Sequence, residues 1–260
     1  EVSLTRRILA LAIPSLGALI AEPLFLLTDT AMVGHLGAPA LASLGLSSTI
    51  LTTVVGLLIF LAYATTSIVA RRLGSGNRPG ALAAGISGIW LAAALGVVLG
   101  AAGLVLSETV VSLFPATDEV SSGALAYLHI SWWGLPGMLI VIAATGVMRG
   151  RQDTKTPLWI ALGGFGSNAA LNAVLIYGLG LGLIGSAVGT VIAQWGMALV
   201  FLGFIITNAR HQDVSLTPSL LGFTAAARSG GWLFLRTLSL RVALIGTVLV
   251  ATGLGTRELA

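Results

Sequence analysis

The chain has 260 residues, 56% of them hydrophobic and 8% charged, with a mean hydropathy of +1.00. Soluble domains are about 25% charged, so these values exclude a soluble globular protein. The net charge of +4 comes from basic residues in short loops between apolar runs, which is no footprint for nucleic acid. The absence of cysteine excludes a disulfide framework, a thiol nucleophile and a cysteine metal site.

An apolar run of about 20 residues crosses a bilayer as a helix. Seven such runs are predicted, at 8–33, 44–70, 81–106, 123–147, 158–178, 184–207 and 231–253. The many glycines and alanines suit close helix–helix approach in lipid, where small residues form the interfaces. The first run is too long for the core of a cleavable signal peptide. Both ends of the chain, Glu1 without a Met and the terminal Gly255-Thr-Arg-Glu-Leu-Ala260, read as cuts in a longer protein.

The loops sort by charge. Arg6 and Arg7, then Arg71, Arg72 and Arg78, then Arg149, Arg151 and Lys155, then Arg210 and Arg228 fall on one side. The loops at 34–43, 107–122 and 179–183 carry no Lys or Arg, only Glu108, Asp118 and Glu119. The positive-inside rule then places the N-terminus and the basic loops in the cytoplasm. Val110, Val111, Leu113 and Phe114 before Pro115 predict a short interfacial turn or helix outside. Residues 208–228 read as a longer cytoplasmic linker between two bundles.

The first run ends in Gly34-His-Leu-Gly-Ala-Pro-Ala-Leu-Ala42 and the seventh in Thr252-Gly-Leu-Gly-Thr-Arg-Glu-Leu-Ala260. The shared Leu-Gly, three residues, Leu-Ala pattern predicts two parallel repeats related by an axis along the membrane normal. The division expected is a six-helix lobe over 1–208, a linker over 209–229, and the first helix of a second lobe over 230–260.

Asp29 lies in the outer half of the first run. A carboxylate at that depth is costly to keep ionised, by roughly 2.5–3.5 kcal/mol on insertion scales, and so faces a protein interior or a water-filled cavity. A buried group that exchanges a proton or cation is what a coupled transporter needs. Glu22 sits two turns earlier on the same helix face. Counted from the outer helix ends, Asp29, Asn172 and Thr190 all fall roughly 8–9 Å inside the boundary at 1.5 Å per residue, with Asn168 one turn deeper. A carboxylate, two carboxamides and a hydroxyl offer oxygen ligands for a hard cation, or a hydrogen-bond shell for a titrating acid. Against this, Asn and Thr in membrane helices commonly bond a partner helix, for about 0.6 kcal/mol.

Pro14, Pro23 and Pro136 sit within runs, and proline removes a backbone hydrogen bond and kinks a helix. Pro23 is the candidate hinge beside Asp29. Arg236 can snorkel to the cytoplasm, whereas Arg241, about ten residues into its run, is a candidate cavity or substrate contact. Trp132, Trp133, Trp195 and Trp232 read as interface anchors or packing. No metal-ligand spacing, nucleophile elbow or Gly-Lys-Ser/Thr phosphate loop points to an enzyme or an ATP-driven pump.

Three stretches carry a family resemblance: Leu27-Thr-Asp-Thr-Ala-Met-Val-Gly-His-Leu-Gly37, Ala70-Arg-Arg-Leu-Gly-Ser-Gly-Asn77 and Arg149-Gly-Arg-Gln-Asp-Thr-Lys-Thr-Pro157. Together with Asn168-Ala-Ala-Leu-Asn172 they resemble the MATE (multidrug and toxic compound extrusion) transporters, most closely the DinF-like branch. The resemblance implies an all-α integral membrane fold of two six-helix lobes around a central cavity. It implies antiport of small organic compounds across the plasma membrane by a monomer, driven by proton or sodium entry, with no cofactor. It also implies that Asp29 matches the family's first-helix acid, and that Asn168, Asn172 and Thr190 match its polar cation-site positions. Some sodium-linked members carry a second acid where this chain has Asn172, so proton coupling through Asp29 is the expectation. A sodium site on the same four residues and a flippase for lipid-linked anions are the alternatives.

Overall fold

The computed structural model describes residues 4–218, Thr224, residues 231–232 and 234–240, and Ala243. The described residues contain helices and no strands. Eight α-helices run in chain order: α1 (Leu4–Gly34), α2 (Ala38–Leu58), α3 (Phe60–Gly74), α4 (Arg78–Val111), α5 (Asp118–Ser131), α6 (Leu135–Gly150), α7 (Lys155–Asn172) and α8 (Gly182–His211). They make six helices long and apolar enough to cross a membrane, because α2 continues into α3, α5 into α6, and α7 into a π-helical turn ending at Gly178. The first six predicted runs each fall inside one of these. The seventh lies largely outside the described residues, as do Arg241, Arg228 and the second copy of the Leu-Gly repeat.

All six runs are shorter than the helices that contain them, and at the third and fourth the difference redraws the external connection. The third continues to Val111, so Glu108 and Val110 lie in its last turn, and the external connection shrinks to residues 112–117. The fourth begins already at Asp118. Thr117 caps it by accepting from the Val120 N–H at 3.4 Å, and Asp118 and Glu119 sit where the positive end of the helix dipole favours them.

Pro136 explains the interruption between α5 and α6. It has no N–H to donate to the preceding turn, and Trp132–Gly134 tighten into a 3-10 turn closed by the Leu135 N–H on Trp132 O. Gly96 of α4 abuts Pro136, and a β-carbon there would collide with the proline backbone. Trp132 is buried and donates Nε1–H to Ser107 Oγ at 2.8 Å, so it packs the interior and anchors no interface.

The fourth span is the centre of the bundle. Its α6 half packs against α3, α4 and α8, and its α5 half against α2 and α8. Gly146 and Gly150 lie directly on Ala62, Thr65, Thr66 and Val69 of α3, and Thr66 Oγ1 donates to Gly146 O at 3.0 Å. By contrast α1 packs mainly on α7, touches α2, and leaves most of its large side chains exposed. It is one unbroken helix through Pro14 and Pro23. The linker begins after His211, and Leu216 O accepts from Trp90 Nε1 at 2.9 Å, which fastens it to α4.

Candidate functional site

Where α1, α7, α8 and α5 meet, three of the helices each present a polar pair spaced four residues apart, which places the pair on one face. Asn168 and Asn172 come from α7, Ser186 and Thr190 from α8, and Tyr127 and Ser131 from α5. Asp29 of α1 closes the group.

Asp29 is 5% exposed, Asn168 2%, and Asn172 and Ser186 0%. Asn172 donates both amide hydrogens, to Asp29 Oδ1 at 2.7 Å and to Asn168 Oδ1 at 3.1 Å. Asn168 Nδ2 donates onward to Thr190 Oγ1 at 3.1 Å. Ser186 Oγ donates to Asp29 Oδ1 at 2.8 Å. The orientation of the Asn172 amide follows from this chain, since turning it over would aim its oxygen at two acceptors.

Two oxygens are left over. Asp29 takes both of its hydrogen bonds on Oδ1. Asn172 Oδ1 is buried with no hydrogen-bond partner. A buried acceptor without a donor costs about 1–3 kcal/mol, and this one lies beside a carboxylate with no cationic side chain among its partners.

Small residues make the layer possible. A β-carbon on Gly189 would run into Asn172 Oδ1, and one on Gly185 would fall 2.8 Å from the Leu175 carbonyl carbon. The α7 backbone departs from α-helical form immediately after Asn172, in the π turn Ala173–Gly178, a feature that often accompanies functional positions. Within it Tyr177 Oη donates to Met32 O at 2.6 Å, tying the end of this span to α1. One turn below the layer Phe25 and Phe165 stack with ring centres 4.8 Å apart and planes 15° from parallel.

Asp29, Asn172 and Thr190, counted to one depth in the sequence, and Asn168 one turn deeper are therefore brought together. Ser186 and Tyr127 were not foreseen. Tyr127 is 4% exposed, with its hydroxyl beside Ser186, Thr190 and Ser131. The signal for Ser186 is its spacing, since Gly185, Ser186, Gly189 and Thr190 form a small-residue stripe of the kind that packs membrane helices. Tyr127 lies well inside its span, away from the interfacial position usual for tyrosine. Glu22 is on α1 two turns before Asp29, and its side chain is not among those described. Pro23 lies on the exposed side of α1. Arg241 lies outside the described residues.

The MatE family model matches residues 14–174, which include Asp29, both asparagines and Tyr127. The chain belongs to the MATE family. It is 32% identical over 256 residues to Protein DETOXIFICATION 44, chloroplastic, of Arabidopsis thaliana, covering 90% of this chain and 47% of that protein. It is 29% identical over 194 residues to DNA damage-inducible protein F of Escherichia coli, covering 74% and 42%. Among solved structures it superposes with a TM-score of 0.85 and 25% identity on the outward-facing conformation of a multidrug resistance MATE family transporter of the MOP superfamily, over 95% of this chain and 56% of that one. The chain thus spans about half the length of the relatives it matches. The MATE likeness accounts for the six-helix bundle.

Proposed function

We propose that this chain is the first lobe of a secondary antiporter that exports small organic compounds in exchange for protons, with Asp29 as the coupling acid. The observation that carries the reading is the pair of spare oxygens. A protonated carboxyl and a primary amide are complementary: the acid O–H meets the amide oxygen while the amide N–H meets the acid carbonyl. Half of that arrangement is present in the bond from Asn172 Nδ2 to Asp29 Oδ1. Protonation of Asp29 at Oδ2 supplies the other half, because Asn172 Oδ1 is the acceptor lacking a donor. Loss of the proton leaves a carboxylate facing an amide oxygen, an arrangement that favours separation of α1 from α7.

Since α1 packs chiefly on α7, protonation at this seam biases the position of one whole helix, and Pro23 is the hinge through which it bends. A ligand or proton shifts a conformational equilibrium only by its differential affinity for the two states, and the acid–amide pair provides that difference. The basic residues of the loops between α3 and α4 and between α6 and α7 support an orientation with those ends and the N-terminus in the cytoplasm. The membrane is the plasma membrane, and the working unit is a monomer of two lobes.

A sodium-coupled exporter would use the same two oxygens as ligands. Transport by the full-length protein reconstituted in vesicles separates the two. Substrate efflux driven by a pH gradient without sodium supports the reading, and efflux driven by a sodium gradient at equal pH on both sides overturns it.

A further inference from the structure

Two of the sequence stretches that carried the family resemblance, Ala70–Asn77 and Arg149–Pro157, contribute nothing to the polar layer. They meet at the opposite end of the bundle. There a cavity of about 250 Å3 is lined by Leu73, Arg78, Ala81, Leu82, Arg151 and Gln212. It draws on the end of α3, the first turn of α4 and the residues just after α6 and α8, so it joins four of the six spans.

The turns around it are held by their own bonds. Gly76, at a φ of 80°, permits the tight turn, Asn77 Oδ1 caps α4 by accepting from Gly80 N at 2.8 Å, and Arg72 Nη1 donates to Gly80 O at 2.8 Å. Across the cavity Asp153 caps α7, accepting from Thr156 N at 3.0 Å and from Thr156 Oγ1 at 2.6 Å. That carboxylate is therefore engaged by neutral donors. Arg151 donates one guanidinium nitrogen, Nη2, to Asn208 Oδ1 at 3.0 Å. Neither Arg78 nor Arg151 is ion-paired with an acid among the described residues. The cavity is thus lined by two guanidinium groups, Arg78 on its exposed side and the half-buried Arg151, with no ion pair to an acid among the described residues. Gln212 adds a carboxamide whose Oε1 is buried without a partner. Turned over, that amide presents N–H groups in the same place, and the two orientations are interchangeable where no other bond fixes them.

We infer that this cavity is a binding site for a phosphate-class oxyanion, held by Arg78, Arg151 and Gln212 between α3, α4, α6 and α8. Guanidinium groups suit phosphate because their planar forks make paired charge-assisted hydrogen bonds. Basic pockets between membrane helices at the headgroup level take anionic lipid head groups. At about 30 Å3 per water, the space accommodates several waters and hence a tetrahedral oxyanion. Leu73 with the buried Ala81 and Leu82 forms an apolar inner wall beside the exposed Arg78, and a phosphate on a lipid or a soluble phosphate satisfies the same donors. Such an anion bridges helices that otherwise meet here through short basic turns, and so it stabilises the lobe.

The test uses purified full-length protein. Thermal unfolding is followed in detergent with added phosphatidylglycerol, phosphatidylcholine or inorganic phosphate, and with chloride at matched ionic strength. Saturable protection by phosphatidylglycerol but not phosphatidylcholine is expected if the source is a lipid. Saturable protection by inorganic phosphate over chloride is expected if it is soluble. In either arm Arg78→Gln and Arg151→Gln should each weaken the half-saturation roughly tenfold, as loss of a charge-assisted bond does. Arg210→Gln, an exposed arginine outside the cavity, should leave it unchanged. Ala81→Phe fills the cavity without touching charge and should abolish saturable protection, which keeps the test valid if an arginine variant fails to fold. No saturable protection by either probe, or protection that survives both Arg→Gln variants and Ala81→Phe, overturns the site.

Discussion

Asn172 reaches Asp29 Oδ1 at 2.7 Å from 143 residues further along the chain, and it spends its second amide hydrogen on Asn168. The amide is thereby fixed with its nitrogen toward the carboxyl and its oxygen left without a donor. Asp29→Asn keeps the shape and removes the titration. Gradient-driven efflux by the full-length protein should fall to background, while expression, membrane insertion and elution as a single species stay as in the parent. Proton-driven efflux that persists in this variant would reduce Asp29 to a helix-packing residue.

The same geometry makes Gly189 a spacer. A methyl group there collides with the Asn172 amide oxygen, so Gly189→Ala should push Asn172 off Asp29. Overpacking of this kind typically costs about 1–3 kcal/mol, more than the roughly 1 kcal/mol that alanine gains over glycine in a helix interior. Gly196, two turns later on α8, has open space where a β-carbon would go. Gly196→Ala should therefore be neutral or raise the melting temperature, whereas Gly189→Ala should lower it and impair transport. Equal behaviour of the two in a thermal unfolding assay would remove the spacer argument.

The spans and the acid of this site were legible in the sequence because a long apolar run and a charge inside it are both unmistakable in composition. Asn172 and Thr190 were legible because residues at the depth of Asp29 in other spans are free to meet it, and Asn168 because it shares a helix face with Asn172. Depth, however, says nothing about which way a helix is turned. Ser186 and Tyr127 carry no charge and so stood out from neither their helices nor their neighbours. Gly189 matters through what it lacks, and only the position of Asn172 reveals that. The turn at Trp132–Gly134 was half legible: Pro136 announced a disturbance, but the helix resumes at once, so the span reads as one in hydropathy.

Tyr127 joins the α5 face to the layer through its hydroxyl, near both Ser186, which bonds Asp29, and Thr190, which bonds Asn168. Tyr127→Phe removes only that hydroxyl and leaves the buried ring. A loss of about 1 kcal/mol is expected for one neutral hydrogen bond, read as roughly fivefold slower proton-driven efflux with little change in folding. Efflux at the parental rate would make Tyr127 a packing residue alone.

Orientation is open to direct labelling, because the chain has no cysteine of its own. Single cysteines at Asn77 and Gln152, in the basic turns after α3 and α6, should react with a membrane-impermeant maleimide only when the cytoplasmic side is opened. Cysteines at Pro39 and Ser121, near the starts of α2 and α5, should react in intact cells. Ser121→Cys labelled only from the cytoplasm would invert the whole arrangement.

The choice of ion comes down to the charge at position 172. With an amide there, Asp29 is the one acid of the layer, and under the proposed proton coupling a single proton neutralises it. Asn172→Asp replaces the two N–H donors by acceptors, so Asp29 loses a donor and gains a like charge close by. Two carboxylates at that spacing do not both stay ionised without a cation. A hard monovalent ion is the one available in quantity on the outer side. The variant should therefore show efflux that rises with an inward sodium gradient at fixed pH, while the parent remains nearly indifferent to sodium. Its folding in detergent should likewise become sodium-dependent, since an ion that binds the folded state stabilises it by mass action. Sodium-driven efflux already present in the parent, at equal pH on both sides, would show that the single acid suffices for sodium and would retire proton coupling through Asp29.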